Sequence, residues 1–158
     1  MKSTEVPLYF AYGSNLKAER LIERVGPASA AGRARLADHG LSFKKRGGDG
    51  SGKACFEAAP GQTLWGVVYA LTSAQFETLD RFERGYRRIE IAVRVDDEEL
   101  KTAITYQAER FTDDPTPYDW YVRLIVEGAR EHGLPSAWQA MLDALPARPQ
   151  PARQSATR

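Results

Sequence analysis

The order of patterned segments predicts an α+β fold. Strand-like runs dominate the first two thirds, single helices interrupt them, and the C-terminal end is helical, whereas a doubly wound α/β chain would alternate the two throughout. Leu8–Tyr12 is an apolar, β-prone run that breaks at Gly13. Leu16, Leu21, Ile22 and Val25 then recur at helical intervals among charged residues, and Gly26-Pro27 ends that helix. Gly32–Leu36, Gly40–Lys44 and Ala54–Ala58 are short, small or apolar, and punctuated by Gly and Asp, so they are expected to be separate strands joined by turns. Leu64–Ala70 has the Trp, Val and Tyr content of a buried strand. Thr72-Ser73 ahead of Phe76, Leu79 and Phe82 predicts a capped helix. Arg87–Val95 and Leu100–Gln107 alternate around Asp96–Glu99, the pattern of an antiparallel hairpin with a charged turn. Pro117–Glu131 and Ser136–Leu145 are the closing helices.

The 158 residues suffice for one domain with one core. The expected organisation is a flexible stretch over residues 1–7, a single domain over 8–145 and a disordered tail over 146–158, which carries three prolines and no apolar cluster. Twenty-two basic against twenty-one acidic side chains give a net charge of +1, so overall charge offers no drive toward nucleic acid or an anionic membrane. No apolar run approaches the ~20 residues of a membrane span, and Met1 to Pro7 lacks a signal-peptide core. The lone Cys55 makes no internal disulfide. A cytoplasmic protein with a small-molecule ligand is expected; oligomeric state is open, with a homodimer as the assembly to consider.

Several apparent motifs carry little. Gly47–Lys53 fits the first seven positions of a phosphate-binding loop, but Ala54 stands where a magnesium-holding hydroxyl belongs and a strand follows instead of a helix. Lys44-Lys45-Arg46 is the composition of a solvated face. His39 and His132 lack companions at metal-ligand spacing, so neither metal nor cofactor is expected.

A strand that stops at Gly13 and passes into a helix leaves backbone N–H groups able to hold a carboxylate or an oxyanion. The string Leu8 to Leu16, L-Y-F-A-Y-G-S-N-L, resembles the signature loop of the γ-glutamylcyclotransferase family. Trp65–Tyr69 resembles that family's W-G-V-V strand, Leu79–Glu83 its L-D-x-x-E segment, and Gly128–Pro135 its closing G-A-x-x-x-G-L-P helix, in matching order from Leu8 to Leu145. The stretch at Gly85-Tyr86 is shorter than in mammalian members, which leaves the substrate preference open.

The resemblance implies a small, mixed, partly closed β-barrel with surrounding helices. It also implies a cofactor-independent enzyme that cyclises γ-glutamyl compounds to 5-oxoproline and a free amine, without Ser or Cys nucleophile. It makes Glu83 the catalytic acid-base group in preference to Asp80, although Arg81, Arg84, Arg87 and Arg88 nearby would equally suit a surface ion pair. The implied substrate contacts are Tyr9, Phe10, Ala11, Tyr12, Gly13, Ser14, Asn15 and Tyr118, with Tyr86 and Tyr106 as further pocket residues. Alternatives are a same-scaffold enzyme specific for glutathione, γ-glutamyl-lysine or a γ-glutamylated metabolite, and a non-catalytic small-ligand binding module.

Overall fold

The computed structural model describes residues 7–151. Five strands close into a barrel in the order β1-β3-β2-β4-β5. They are β1 (Leu8–Ala11), β2 (Ser29–Arg46), β3 (Gly52–Ala70), β4 (Tyr86–Val95) and β5 (Leu100–Ala108). Helices α1 (Ala18–Val25), α2 (Ser73–Phe82), α3 (Asp119–Glu131) and α4 (Ser136–Asp143) pack around it. The barrel is mixed: β1 runs antiparallel to β3 and parallel to β5, while the remaining pairs are antiparallel.

Two seams are thin. β1 meets β5 through the single register pair Tyr9 and Ile104, reinforced where the Thr105 hydroxyl donates to the Phe10 carbonyl at 2.8 Å. β2 meets β4 only at Ala34 with Val95 and Arg35 with Arg94. Closure nevertheless leaves Phe10, Leu64, Val68 and Val93 fully inside, and this apolar interior is the dominant stabilising element.

The short strands expected between residues 32 and 70 are two long ones. Gly and Asp there do not end strands but bend them: register shifts fall at Ala30/Gly32, Ala37/His39 and Ser42/Lys45. At the middle bend Asp38 takes a positive φ of 61°, and its carboxylate accepts from the Gly61 N–H at 2.9 Å.

The predicted α2 cap is present, the Thr72 hydroxyl accepting from Gln75 N–H while the Gln75 side chain accepts from Thr72 N–H. Gly128 lets α3 lie directly against the loop that follows β1, since a side chain there would collide with Leu16 and the Lys17 amide. Residues 146–151, the described part of the expected disordered tail, are in place. Arg148 exchanges backbone hydrogen bonds with Pro117 and Asp119, and its guanidinium lies 5.1 Å from the Tyr118 ring centroid. Backbone pairing and a cation over an aromatic face hold this stretch without an apolar cluster. The remainder of the tail, 152–158, and residues 1–6 of the expected flexible start lie outside the described residues. No helix among those described is long and apolar enough to cross a membrane.

Candidate active site

After β1 the chain makes a single 3-10 turn over Ser14–Leu16 before α1 begins. The turn is buried, and Tyr69 from β3 donates its hydroxyl proton to the Leu16 carbonyl at 3.0 Å. The N–H groups of Gly13, Ser14 and Asn15 meet no acceptor among the described residues. This stretch forms one wall of a cavity of about 30 Å³, room for little more than a water molecule. Gly13 keeps that wall low: a Cβ there would stand 3.0 Å from the Ala54 Cβ across the cavity.

Glu83, at the C-terminal cap of α2, lines the same cavity. Its side chain is only 16% exposed, and Arg24 Nη1 lies 3.5 Å from its Oε2. The expected competitors Arg81, Arg84, Arg87 and Arg88 do not pair with it; its cation comes from α1. Burial pushes the Glu83 carboxyl above the usual glutamate value, against the opposing pull of Arg24, Lys45 and Arg20. Asp80 is engaged elsewhere. It accepts from Arg88 at 2.8 Å and from the Tyr106 hydroxyl at 2.6 Å, and those bonds outweigh its burial and hold its carboxyl below the usual range.

Phenols complete the lining. Tyr12 donates to the Tyr106 carbonyl at 2.9 Å and Tyr86 donates to the Ala54 carbonyl at 2.5 Å, so both protons are committed within the protein. Tyr9 and Tyr121 differ. Tyr9 oxygen accepts from Asn15 Nδ2 at 3.0 Å, and Tyr121 oxygen accepts from the Ala54 N–H at 3.0 Å. Each therefore keeps its own hydroxyl proton for a ligand. Burial raises both pKa values, that of Tyr121 to about 12, so both stay protonated donors at neutral pH.

The structure thus brings together Tyr9, Tyr12, Gly13, Ser14, Asn15 and Glu83, joined by Tyr86 and Tyr106. Phe10 and Ala11 are fully buried and do not line the cavity. Tyr118 does not reach it either. It caps α3, and its hydroxyl donates to the Asp49 carbonyl at 3.1 Å; the residue on α3 that enters the cavity is Tyr121, one turn further on. Ser14 Oγ accepts from Arg20 Nε at 3.0 Å, and Asn15 Oδ1 accepts from Arg24 Nη1 at 3.4 Å. These two arginines went unread in the sequence, although their i, i+4 spacing sets them on one helix face. Among the described residues no three His, Cys, Asp or Glu side chains converge as metal ligands.

A shielded carboxylate, two phenolic donors and a run of N–H groups that meet no acceptor among the described residues can hold an anion, move a proton and stabilise an oxyanion in one place. Comparison with known proteins agrees in kind. Residues 63–142 match the AIG2-like family. Gamma-glutamylcyclotransferases of Bos taurus and Homo sapiens are each 35% identical over 147 residues, covering 87% of this chain and 78% of theirs. A solved structure described as gamma-glutamyl cyclotransferase superposes with a TM-score of 0.87 at 30% identity, covering 94% of this chain and 93% of that one.

Proposed function

The chain belongs to the γ-glutamylcyclotransferase family, and we propose that it releases 5-oxoproline and a free amine or amino acid from a γ-glutamyl substrate, with Glu83 as base and then acid. It is an enzyme of the cyclotransferase type. The observation that carries the assignment of Glu83 is a shielded carboxylate, 16% exposed, lining one cavity with the Gly13–Asn15 loop, where burial favours its protonated form.

The α-ammonium of the substrate gives its proton to Glu83 and attacks the γ-carbonyl carbon. A new C–N bond closes the five-membered ring, negative charge develops on the carbonyl oxygen, and the Tyr9 and Tyr121 hydroxyls donate to it. As the ring closes the attacking nitrogen sheds its second proton; Glu83 returns the first to the departing nitrogen as the amide bond breaks, and the second completes the ammonium that leaves. Because nucleophile and electrophile belong to one molecule, the enzyme's main task is to hold the ring-closing pose. The free N–H groups of Gly13, Ser14 and Asn15 suit the glutamyl α-carboxylate, which is common to every substrate of this class. No metal or cofactor enters the scheme. The partner is a small molecule, the compartment on this reading is the cytoplasm, and a homodimer is the assembly that light scattering would test.

The deciding experiment incubates the protein with γ-glutamyl amino acids, glutathione and γ-glutamyl-lysine and scores 5-oxoproline by mass spectrometry. Release from at least one is expected. Tight binding without release from any would instead identify a binding module.

A further inference from the structure

Outward from Glu83 the cavity widens into a basin of about 270 Å³ with cationic walls. Arg20 and Arg24 stand on the α1 side, and Lys45 and Lys53 on the barrel side. The two lysines are direct cross-strand partners in the β2–β3 register, an opposition of like charges that costs stability unless something anionic lies between them. Lys53 has Asp49 at 3.2 Å. Lys45 has no such partner: it is 7% exposed, and among the described residues no carboxylate lies within 4.0 Å of its ammonium. Its Nζ lies 4.8 Å from the Tyr86 ring centroid and against Gly85, where a Cβ would come within 2.9 Å of it. Burial lowers its pKa, with Glu83 opposing that shift and Lys53, Arg110 and Arg46 adding to it. Past Gly47, Gly48 and Arg84 the basin continues into a depression of about 520 Å³, to which Arg46 and Arg110 contribute and no acidic side chain does.

A γ-glutamyl group does not need this surface, since its α-carboxylate has the loop and its amine has Glu83. A departing amino acid with one carboxylate would engage part of it. The geometry points to a departing amino acid that is itself acidic: the basin selects γ-glutamyl substrates whose leaving group carries a second carboxylate, received by Lys45. This rests on the cyclotransferase reading above. For γ-glutamyl-glutamate the ring-closing C–N bond forms, the amide C–N bond breaks, two protons leave the α-nitrogen, one through Glu83 before attack and one as the ring closes, both end on the departing nitrogen, and the products are 5-oxoproline and glutamate.

γ-Glutamyl-glutamate and γ-glutamyl-glutamine differ by one carboxylate and little in shape. Their binding is compared by calorimetry on Glu83→Gln, and their turnover by 5-oxoproline release from the unmodified chain. Binding at least about tenfold tighter for the glutamate compound is expected, the scale of one well-placed charged hydrogen bond, with the preference shrinking in Lys45→Met and at high salt. Equal binding overturns the proposal, and if both compounds are still cyclised the cyclotransferase reading stands without it. A Lys45→Met chain that keeps the full preference overturns the assignment to Lys45. Absence of 5-oxoproline from both compounds overturns the substrate claim, and with it the activity only if γ-glutamyl amino acids, glutathione and γ-glutamyl-lysine also release none. Product inhibition of the unmodified chain needs no variant: free glutamate should inhibit at concentrations at least about tenfold below free glutamine, and equal inhibition counts against the proposal.

Discussion

Replacing Glu83 by glutamine changes the charge of the cavity and almost nothing of its shape. Two effects on stability oppose each other. Arg24 loses its 3.5 Å partner while only 17% exposed, and stripping a buried charge of its partner costs ~3–5 kcal/mol at full burial. Here the guanidinium keeps the Asn15 amide oxygen at 3.4 Å and the Phe82 ring at 5.0 Å, which moderates the loss. Against it, the burial that raises the Glu83 pKa is relieved when a neutral amide takes its place. The net should stay within about 1–2 kcal/mol, which moves the melting temperature of a chain this size by roughly 2–8 °C. Catalysis has no comparable compensation. Asp80 is held by Arg88 and Tyr106, and the cavity phenols are protonated at neutral pH, so no other group can take the α-ammonium proton. Turnover should fall ~100–10,000-fold, or ~2.7–5.5 kcal/mol in activation free energy, with substrate affinity largely kept. The assay is 5-oxoproline release at saturating substrate, alongside calorimetric melting. A folded variant that retains more than about a tenth of wild-type turnover refutes Glu83 as the proton shuttle.

The acid limb of kcat/KM should inflect above 4.5, because Glu83 must be ionised to act as base and its pKa is raised in the folded chain. The same shift gives a stability contribution present below the unfolded glutamate pKa and lost as pH rises through the folded value; denaturant titrations should show this slope in the wild type and not in Glu83→Gln. Tyr9→Phe and Tyr121→Phe should each lower kcat about a hundredfold with KM little changed, the scale of one oxyanion donor, and unchanged kcat would remove the phenols from the mechanism. Gly13→Val should harm binding more than Ser14→Ala, since the first drives a side chain toward Ala54 and the second leaves every backbone donor in place; the reverse order would mean side-chain recognition.

Much of the site was legible because it lies in one continuous string and one helix end. Tyr9, Tyr12, Gly13, Ser14 and Asn15 follow one another along a strand-to-turn pattern, whereas Glu83, on the cap of a different helix, was singled out only by the resemblance of Leu79–Glu83 to the family segment. The misses have physical causes. Tyr118 and Tyr121 lie within one turn of the same helix, but the first is its cap and is drawn to the Gly47–Ser51 turn, so only the register of α3 on the barrel separates them. Lys44-Lys45-Arg46 has the composition of a solvated face, yet strand alternation buries Lys45 beside inward Phe43 and leaves its two neighbours out. That period-two signal was present and was outweighed by charge. The bends at Asp38 and Gly61 resemble turns because bulges and turns call on the same residues, and only long-range pairing distinguishes them.

Because β1 lies between β3 and β5, the Phe10 carbonyl receives its bond from Thr105, 95 positions later. On a ribosome adding ~5–20 residues per second, the strand that leads into the Gly13–Asn15 turn therefore waits on the order of 5–20 s for its second neighbour. Throughout that interval one edge of β1 is open to strands of other nascent chains. Expression yield should accordingly respond to holdase chaperones more strongly than the stability of the finished barrel would suggest. A circular permutant beginning at β4, which delivers β5 before β1, should shorten that exposure.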